Sequence, residues 1–277
     1  VATPIGNLDD ISPRALRVLG GADVIAAEDT RVTAHLLDRY GISGKLIAAH
    51  EHNERSTARR IVDQLAQGKI VALVTDAGTP AVSDPGAVVV AAAHAGGFKV
   101  VPIPGPSAAA AALSAAGFTD GPFLFLGFLP SKPAARRKAL ERINALPYTL
   151  VFYEAPHRII ECVEDMAATL GTDRIVVLAR ELTKLFEEIH RIRLGDAAGW
   201  LREDANRQRG EHVLVVEGAG EEKTRVDPGW EPVLAALLEE MSVARAVKLA
   251  CKLTGAKKNT VYAHALQLAK KRGPGPT

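Results

Sequence analysis

Polar side chains able to bind ligands or move protons cluster at a few places in this sequence, and most follow short apolar runs. Glu28, Asp29 and Arg31 follow Asp23–Ala27, His50, His52, Asn53 and Glu54 follow Lys45–Ala49, and Glu154, His157 and Arg158 end the run from Tyr148. Carboxylates and imidazoles so placed can serve as general acids or bases, and arginines can hold phosphates. His50-Glu51-His52 suggests a metal site, but two histidines two apart on one strand with no third ligand are a weak set, so no metal is expected. Plain structural roles compete with these chemical ones: Asp29 can cap a helix, and Glu54 can be a first-turn acid favoured by the helix dipole. No GxxxxGK[ST] phosphate loop occurs, and Pro106 in Gly105-Pro106 removes an N–H that an anion would want.

The stretch that must position such groups runs from Lys69 to Gly86. Ile70 to Thr75 is a continuous apolar run, as expected of a strand buried on both faces. Two turn-forming clusters follow, Asp76-Ala77-Gly78-Thr79-Pro80 and Ser83-Asp84-Pro85-Gly86, and then a helical run from Ala87 to Ala95. Asp76, Thr79, Ser83 and Asp84 offer hydrogen-bonding groups on a backbone fixed by glycine and proline. An ordinary strand-to-helix connection needs fewer residues. Strand, long specialised loop and helix make a ligand-binding edge of an open α/β sheet, where sites form beyond the carboxyl ends of strands.

Around it, strands and helices alternate. Ser12-Pro13 starts a helix, Asp23–Ala27 is a strand, and Asp29 or Thr30 caps a helix that stops at Gly41. Lys45–Ala49 and Lys99–Ile103 are further strands, with helices from Ser56 to Gln67 and from about Ser107 to Gly117. This pattern predicts a mainly parallel sheet covered by helices. After Gly117 the texture changes. Strands are expected at Phe123–Phe128, Tyr148–Tyr153, Arg174–Ala179, Glu188–Leu194 and His212–Glu217, with a basic helix carrying Arg136, Arg137, Lys138 and Arg142. Helices at Arg158–Leu170 and Asp196–Arg207 separate some of these strands, so a second α/β domain with antiparallel pairing is expected. The expected division is 1–117, 118–222 and a basic helical tail, 223–277, after a turn-rich linker at Gly218–Gly229.

The 277 residues are 47% apolar with a net charge of +2, so neither disorder nor a strongly electrostatic partner is indicated overall. Cys162 and Cys251 are too few for a disulfide framework. No apolar run of membrane-spanning length and no signal peptide is visible, which points to a cytoplasmic protein. The tail after Met241 is different: it carries Arg245, Lys248, Lys252, Lys257, Lys258, Lys270, Lys271 and Arg272 and no acid at all. Two helices, capped at Ser242 and broken at Gly255, give it a helix-turn-helix pattern. A solvated helical cap would be the plain reading, but solubility favours mixed signs, so contact with nucleic-acid phosphates is expected.

ATPIGNLDDIS, AAEDTR, TDAGTPAVSDPG, PIPGPSA, FLGFLP and FYEAPHR occur in order from Ala2 to Arg158. With these motifs the chain resembles the ribosomal RNA small subunit methyltransferase I family, within the tetrapyrrole methylase superfamily. The resemblance covers nearly the whole chain. It implies a fold of two α/β domains with S-adenosylmethionine between them, a homodimer, and 2′-O-methylation of a cytidine in 16S rRNA, in the decoding region of the small subunit. The cofactor positions it implies are Pro4, Ile5 and Gly6; Asp76, Ala77, Gly78, Thr79 and Val82; Ser107 and Ala108; Tyr153, Glu154 and Ala155; and, more loosely, Ala179 to Glu181 and His212. Thr3-Pro4-Ile5-Gly6-Asn7 stands where tetrapyrrole-modifying relatives have a glycine-rich sequence, a departure from tetrapyrrole chemistry.

Methyl transfer to a ribose oxygen is an in-line displacement from a cationic leaving group, so alignment dominates. Positioning supplies about 7–11 kcal/mol, against roughly 10²–10⁴-fold for a general base. Glu28, Asp29 and Glu154 are the expected base candidates. Arg31, His50, His52, Asn53, Arg136, Arg137, His157, Arg158, Arg180, Lys184, Lys257 and Lys258 are expected to face RNA. A methyltransferase acting on a tetrapyrrole precursor and a non-catalytic ribosome-binding module are the alternatives.

Overall fold

The computed structural model describes residues 1–50, 53–118, 121–220 and 230–272. His52 and most of the expected linker lie outside them. The chain divides into a larger compact unit, Val1–Asn144 with Tyr148–Gly218, and a smaller one, Ala145–Pro147 with Ala219–Thr277.

In the larger unit Ser12 caps helix α1 (Pro13–Gly20), its Oγ accepting the Ala15 N–H at 3.0 Å, with Pro13 at the first helical position. Strand β1 (Val24–Ala27), helix α2 (Thr30–Arg39), strand β2 (Leu46–Ala48), helix α3 (Glu54–Ala66) and strand β3 (Val71–Val74) follow. The three strands pair in parallel in the order β2-β1-β3, with Ile25 opposite both Leu46 and Ala72. The strand buried along its whole length is therefore β1, at the centre. The expectation of a doubly buried β3 is corrected: β3 lies at the sheet edge, Val71 and Leu73 are only half-buried, and Ile70 is exposed.

Helices α4 (Ala87–Ala95) and α5 (Ala108–Ala115) complete this part. No strand forms at Lys99–Ile103, which is a second correction. Pro102 has no N–H to donate to a ladder, and the segment joins the rest through the Ala2 N–H, which donates to the Ile103 carbonyl at 3.2 Å.

The second sheet is built from β4 (Phe123–Phe128), β5 (Thr149–Glu154), β6 (Ile175–Arg180), β7 (Glu188–Arg193) and β8 (His212–Val216), in the order β4-β5-β8-β6-β7. Only β4 and β5 are parallel; the other pairs are antiparallel. Helices α6 (Pro133–Ile143), α7 (Ile159–Leu170) and α8 (Leu194–Glu203) connect them. Residues on β5 alternate between two cores, as strand geometry requires. Leu150 and Phe152 pack with Met166, Leu178 and Leu201 on one face. Val151 packs with Val177, Val213 and Val215 on the other, against Ala109 and Ala112 of α5. The alanine-rich α5 thus packs on the second sheet through its small side chains.

The smaller unit holds three helices among its described residues: α9 (Trp230–Glu240), α10 (Val243–Thr254) and α11 (Lys258–Arg272). Gly255 ends α10 in the left-handed region at φ 72°. Leu234, Ala246, Val247, Ala250, Val261 and Ala265 form their common core. The tail is therefore a three-helix unit, one helix more than the pair expected from the sequence. No helix among the described residues is long and apolar enough to cross a membrane.

Candidate active site

The ends of the strands in the larger unit surround a cavity of about 330 Å³, inside the range of about 300–1,000 Å³ usual for small-molecule sites. One wall comes from loops of the first half. Ile5, the backbone corner Ala77-Gly78-Thr79, Val82 and Asp84 contribute, and Ser107 and Ala108 at the start of α5 close it. Gly78 adopts φ 78°, which glycine tolerates and other residues resist, and its N–H donates to the Thr3 carbonyl while the Thr3 N–H returns the bond. The Thr79 hydroxyl donates to the Pro106 carbonyl at 3.2 Å, tying two of these loops together.

The second sheet supplies the opposite wall. β5 ends at Glu154 and β8, running the other way, begins at His212, and the two residues lie opposite each other in register. Antiparallel pairing thus brings Tyr153, Glu154, Ala155 and Pro156 beside Glu211, His212 and Val213. Tyr153 is framed by Phe125 and Phe128, with ring centroids 4.9 and 5.7 Å away, and its hydroxyl accepts the Ala109 N–H at 3.3 Å. Burial raises its pKa, so the phenol stays protonated at neutral pH. His212 is buried, and burial likewise pushes its imidazole down and neutral. Its Nε2 faces the Arg207 carbonyl at 3.0 Å, which assigns the hydrogen to that nitrogen. Nδ1 is then buried and meets no hydrogen-bond partner among the described residues. Apolar faces with a few inward polar groups suit a small molecule with an aromatic or aliphatic body and a charged end.

Of the cofactor positions expected from the sequence, Ile5, Ala77, Gly78, Thr79, Val82, Ser107, Ala108, Tyr153, Glu154, Ala155 and His212 border this cavity. Pro4 and Asp76 border a different hollow beside α2, with Val32 and Leu36. Gly6 is exposed and lies against the Lys184 side chain. Glu181 is set back from the cavity: its carboxylate accepts from the Glu211 N–H at 2.9 Å and from Lys184 Nζ at 2.8 Å, which orients Glu211. Phe128, Pro156, Leu182, Glu211 and Val213 also line the cavity and were not expected. Phe128 and Pro156 fall inside FLGFLP and FYEAPHR, so the motifs carried a signal for them. Leu182, Glu211 and Val213 had none.

The carboxylates expected to act as bases are largely committed. The Asp29 carboxylate caps α2, accepting the Arg31 N–H at 2.8 Å, and holds the Arg31 guanidinium at 2.6 Å. That pairing pulls its pKa down to about 2. Glu154 is buried, accepts the Ala155 N–H at 2.8 Å and pairs with Arg158 at 3.2 Å. Glu28 sits in a mutual clasp between strand ends. Its Oε2 accepts the Asp76 N–H at 3.4 Å while Asp76 Oδ1 accepts the Asp29 N–H at 2.9 Å, and burial raises the Glu28 pKa. Neither Glu28 nor Asp29 borders the cavity. Glu54 bonds the Gly86 and Val88 N–H groups at 2.7 and 3.0 Å, satisfying the start of α4.

Several residues expected to face RNA turn inward instead. Arg136 is 1% exposed, because Asp165 on α7 holds its Nε at 2.6 Å. A buried, paired guanidinium cannot meet a phosphate. Arg158 donates to the Leu129 carbonyl at 2.7 Å, and Arg180 pairs with Glu188 at 3.3 Å. Asn53 is a backbone brace, its Oδ1 accepting the His50 N–H and its Nδ2 donating to the Ala48 carbonyl. Arg31, Arg137 and His157 remain exposed, as do Lys257 and Lys258 of the smaller unit. Lys184 is half-buried between Glu181 and Glu211. Among the described residues, no group of three or more His, Cys, Asp or Glu side chains is arranged to hold a metal ion.

Comparison with known proteins adds identity to this geometry. Residues 1–198 match the model of the Tetrapyrrole (Corrin/Porphyrin) Methylases, and residues 226–269 match that of the RsmI C-terminal HTH domain. The chain is 48% identical to Ribosomal RNA small subunit methyltransferase I of Escherichia coli O157:H7 over 96% of its length and 93% of the relative's. It is 49% identical to the protein of that name from Pseudomonas aeruginosa PAO1, over 96% and 95%. Solved structures of diphthine synthase (TM-score 0.59, 19% identity, 79% of this chain and 88% of that one) and of the methyltransferase CobJ (TM-score 0.58, 21% identity, 77% and 90%) share its fold. The chain belongs to the ribosomal RNA small subunit methyltransferase I family of the tetrapyrrole methylases.

Proposed function

We propose that this protein methylates ribosomal RNA of the small subunit, using S-adenosylmethionine. At finer grain, the reading is 2′-O-methylation of a cytidine ribose in the decoding region of 16S rRNA. The observation that carries it is the cavity itself, lined by rigid backbone corners, in a chain nearly half identical along its length to proteins named as small-subunit rRNA methyltransferases.

The residues present fit such a methyl donor. Ile5, Val82, Phe128 and Val213 offer apolar contact to an adenine, and the neutral His212 imidazole adds a polar group to the same wall. Exposed backbone at Ala77 and the backbone at the start of α5 can meet an amino-acid end, on a corner held by the Gly78–Thr3 pair. When bound, the donor supplies a methyl carbon on a cationic sulfur, ready for displacement. The protein's part is alignment, exclusion of water and acceptance of one proton. On this reading residues 1–117 and 118–222 each give one wall, and the basic helices within 223–277 add phosphate contacts through Arg245, Lys257 and Lys258.

Incubation with methyl-labelled S-adenosylmethionine and either unmodified small ribosomal subunits or a porphyrinogen tests the reading. Label is expected in RNA, at a ribose that resists alkaline cleavage. Label in the porphyrinogen would favour a tetrapyrrole substrate, and label in neither would favour a binding module without chemistry.

A further inference from the structure

A 2′-hydroxyl must lose its proton as its oxygen takes the methyl group, so some group at the cavity has to receive it. Five side chains on the cavity wall can titrate: Asp84, Tyr153, Glu154, Glu211 and His212. Four are otherwise engaged. Tyr153 is a protonated phenol bound by the Ala109 N–H. Glu154 is buried and held by Arg158 and the Ala155 N–H. Glu211 pairs with Lys184 at 3.0 Å, its side chain 78% exposed. His212 is 2% exposed, and its Nε2 is committed to the Arg207 carbonyl at 3.0 Å.

Asp84 differs. It is half-buried, and among the described residues its carboxylate makes no hydrogen bond or ion pair. The loop that carries it is held in a costly shape, with Ala81 at φ 65° and Ser83 at φ 66°, both non-glycine residues in the left-handed region. The Ala81 N–H donates to the Pro85 carbonyl at 3.2 Å and the Gly86 N–H to Glu54 at 2.7 Å, bracing the loop on both sides of Asp84. Strain of this kind persists where surrounding structure enforces it, and here it aims one unpaired carboxylate at the cavity.

Resting on the methyl-transfer reading above, we propose that Asp84 is the catalytic base that takes the ribose hydroxyl proton. As the ribose O–C bond forms and the S–C bond breaks, the electron pair of the broken bond stays on sulfur. The hydroxyl proton passes to the Asp84 carboxylate and from there to water. Burial, with the charges of Glu28 and Asp76 facing it, raises the Asp84 pKa to about 6; Tyr153, Glu154, Glu211 and His212 are the other titratable groups around the cavity. A base whose pKa lies close below the working pH is ionised yet still basic enough to accept a proton.

The test is single-turnover methyl transfer to unmodified small subunits by wild type, Asp84→Asn and Asp84→Glu across pH 5–8.5, with donor affinity measured by calorimetry. Asp84→Asn is expected to lower the rate by roughly 10²–10⁴ while donor Kd stays within about threefold. Asp84→Glu recovers part of the rate, and the acidic limb of the wild-type pH profile is absent from the Asn variant. An Asn variant with the wild-type rate and limb would overturn the assignment of Asp84 and leave the methyltransferase reading intact. If Asn also loses the donor, the wild-type profile at saturating donor decides: an acidic limb supports the assignment, and a flat profile overturns it. Wild type that transfers no methyl group to RNA would overturn the functional reading itself.

Discussion

Gly127 in β4 leaves room for the Ser83 side chain: a Cβ at 127 would lie 2.7 Å from Ser83 Oγ. The β4–β5 register shifts between Phe125 and Gly127, and Gly127 takes φ 64°, so a bulge in the second sheet receives the loop of the first. Gly127→Ala would both strain this conformation and push Ser83 away. It is expected to destabilise the fold by about 1–2 kcal/mol and to weaken donor binding beyond that, read by denaturant unfolding and calorimetry. Unchanged donor affinity would mean that the bulge does not set the loop.

The pair between Arg136 and Asp165 predicts a purely structural effect. Arg136 is held by Asp165 at 2.6 Å and reaches Glu161 at 3.5 Å, while Arg137 also meets Asp165 at 3.0 Å. Asp165→Ala would leave a buried guanidinium without its main partner, costing about 3–5 kcal/mol. An Arg136→Met, Asp165→Leu double variant should recover much of that loss in chemical denaturation. Binding of RNA by the folded double variant should match wild type, since Arg136 never reaches the surface.

Asp84 also predicts how stability changes with pH. Its folded-state pKa of about 6 lies above the 3.8 of an ordinary aspartate, so between those values the folded state binds more protons and stability falls as pH rises. Asp84→Asn removes this term. The variant should melt above wild type at pH 7.5, with the gap narrowing as pH falls toward 4. A gap that is constant or reversed would contradict the environment described for this carboxylate.

In the smaller unit, Arg245, Lys257 and Lys258 are exposed, so their role can be tested without touching the core that α9, α10 and α11 share. Cutting the chain after Met241 would split that core. Replacing all three with alanine should weaken binding to small subunits and reduce the slope of log affinity against log salt by roughly 0.7–0.9 per lost phosphate contact. Donor affinity should not move. An unaltered salt slope would return these side chains to simple solvation.

Local chemistry was the legible part of this sequence. Ser12 and Asp29 announced their helices, Gly255 its stop, and Ala87–Ala95 the helix after the binding loop, because caps and turns depend on a few neighbouring residues. Partners distant in sequence were less legible. Asp165 buries Arg136 from 29 positions away, and nothing in the basic helix itself reveals that. The Asp29 cap was legible, but the Arg158 that holds Glu154 and the Asp76 N–H that meets Glu28 were not. Glu211 and Val213 reach the cavity only because β8 runs antiparallel to β5, a matter of pairing rather than composition. Lys99–Ile103 had the apolar character of a strand, but Pro102 removed a donor that a ladder needs.

The most direct test is titration calorimetry of S-adenosylmethionine into wild type and Gly78→Leu. Gly78 lines the cavity at φ 78°, with a Cβ position 3.6 Å from Ile5 Cγ2, so a leucine there would strain the corner and fill the space. Saturable binding at one site per chain by wild type and none by a folded Gly78→Leu variant is the predicted result. Binding by Gly78→Leu with wild-type affinity would contradict the account.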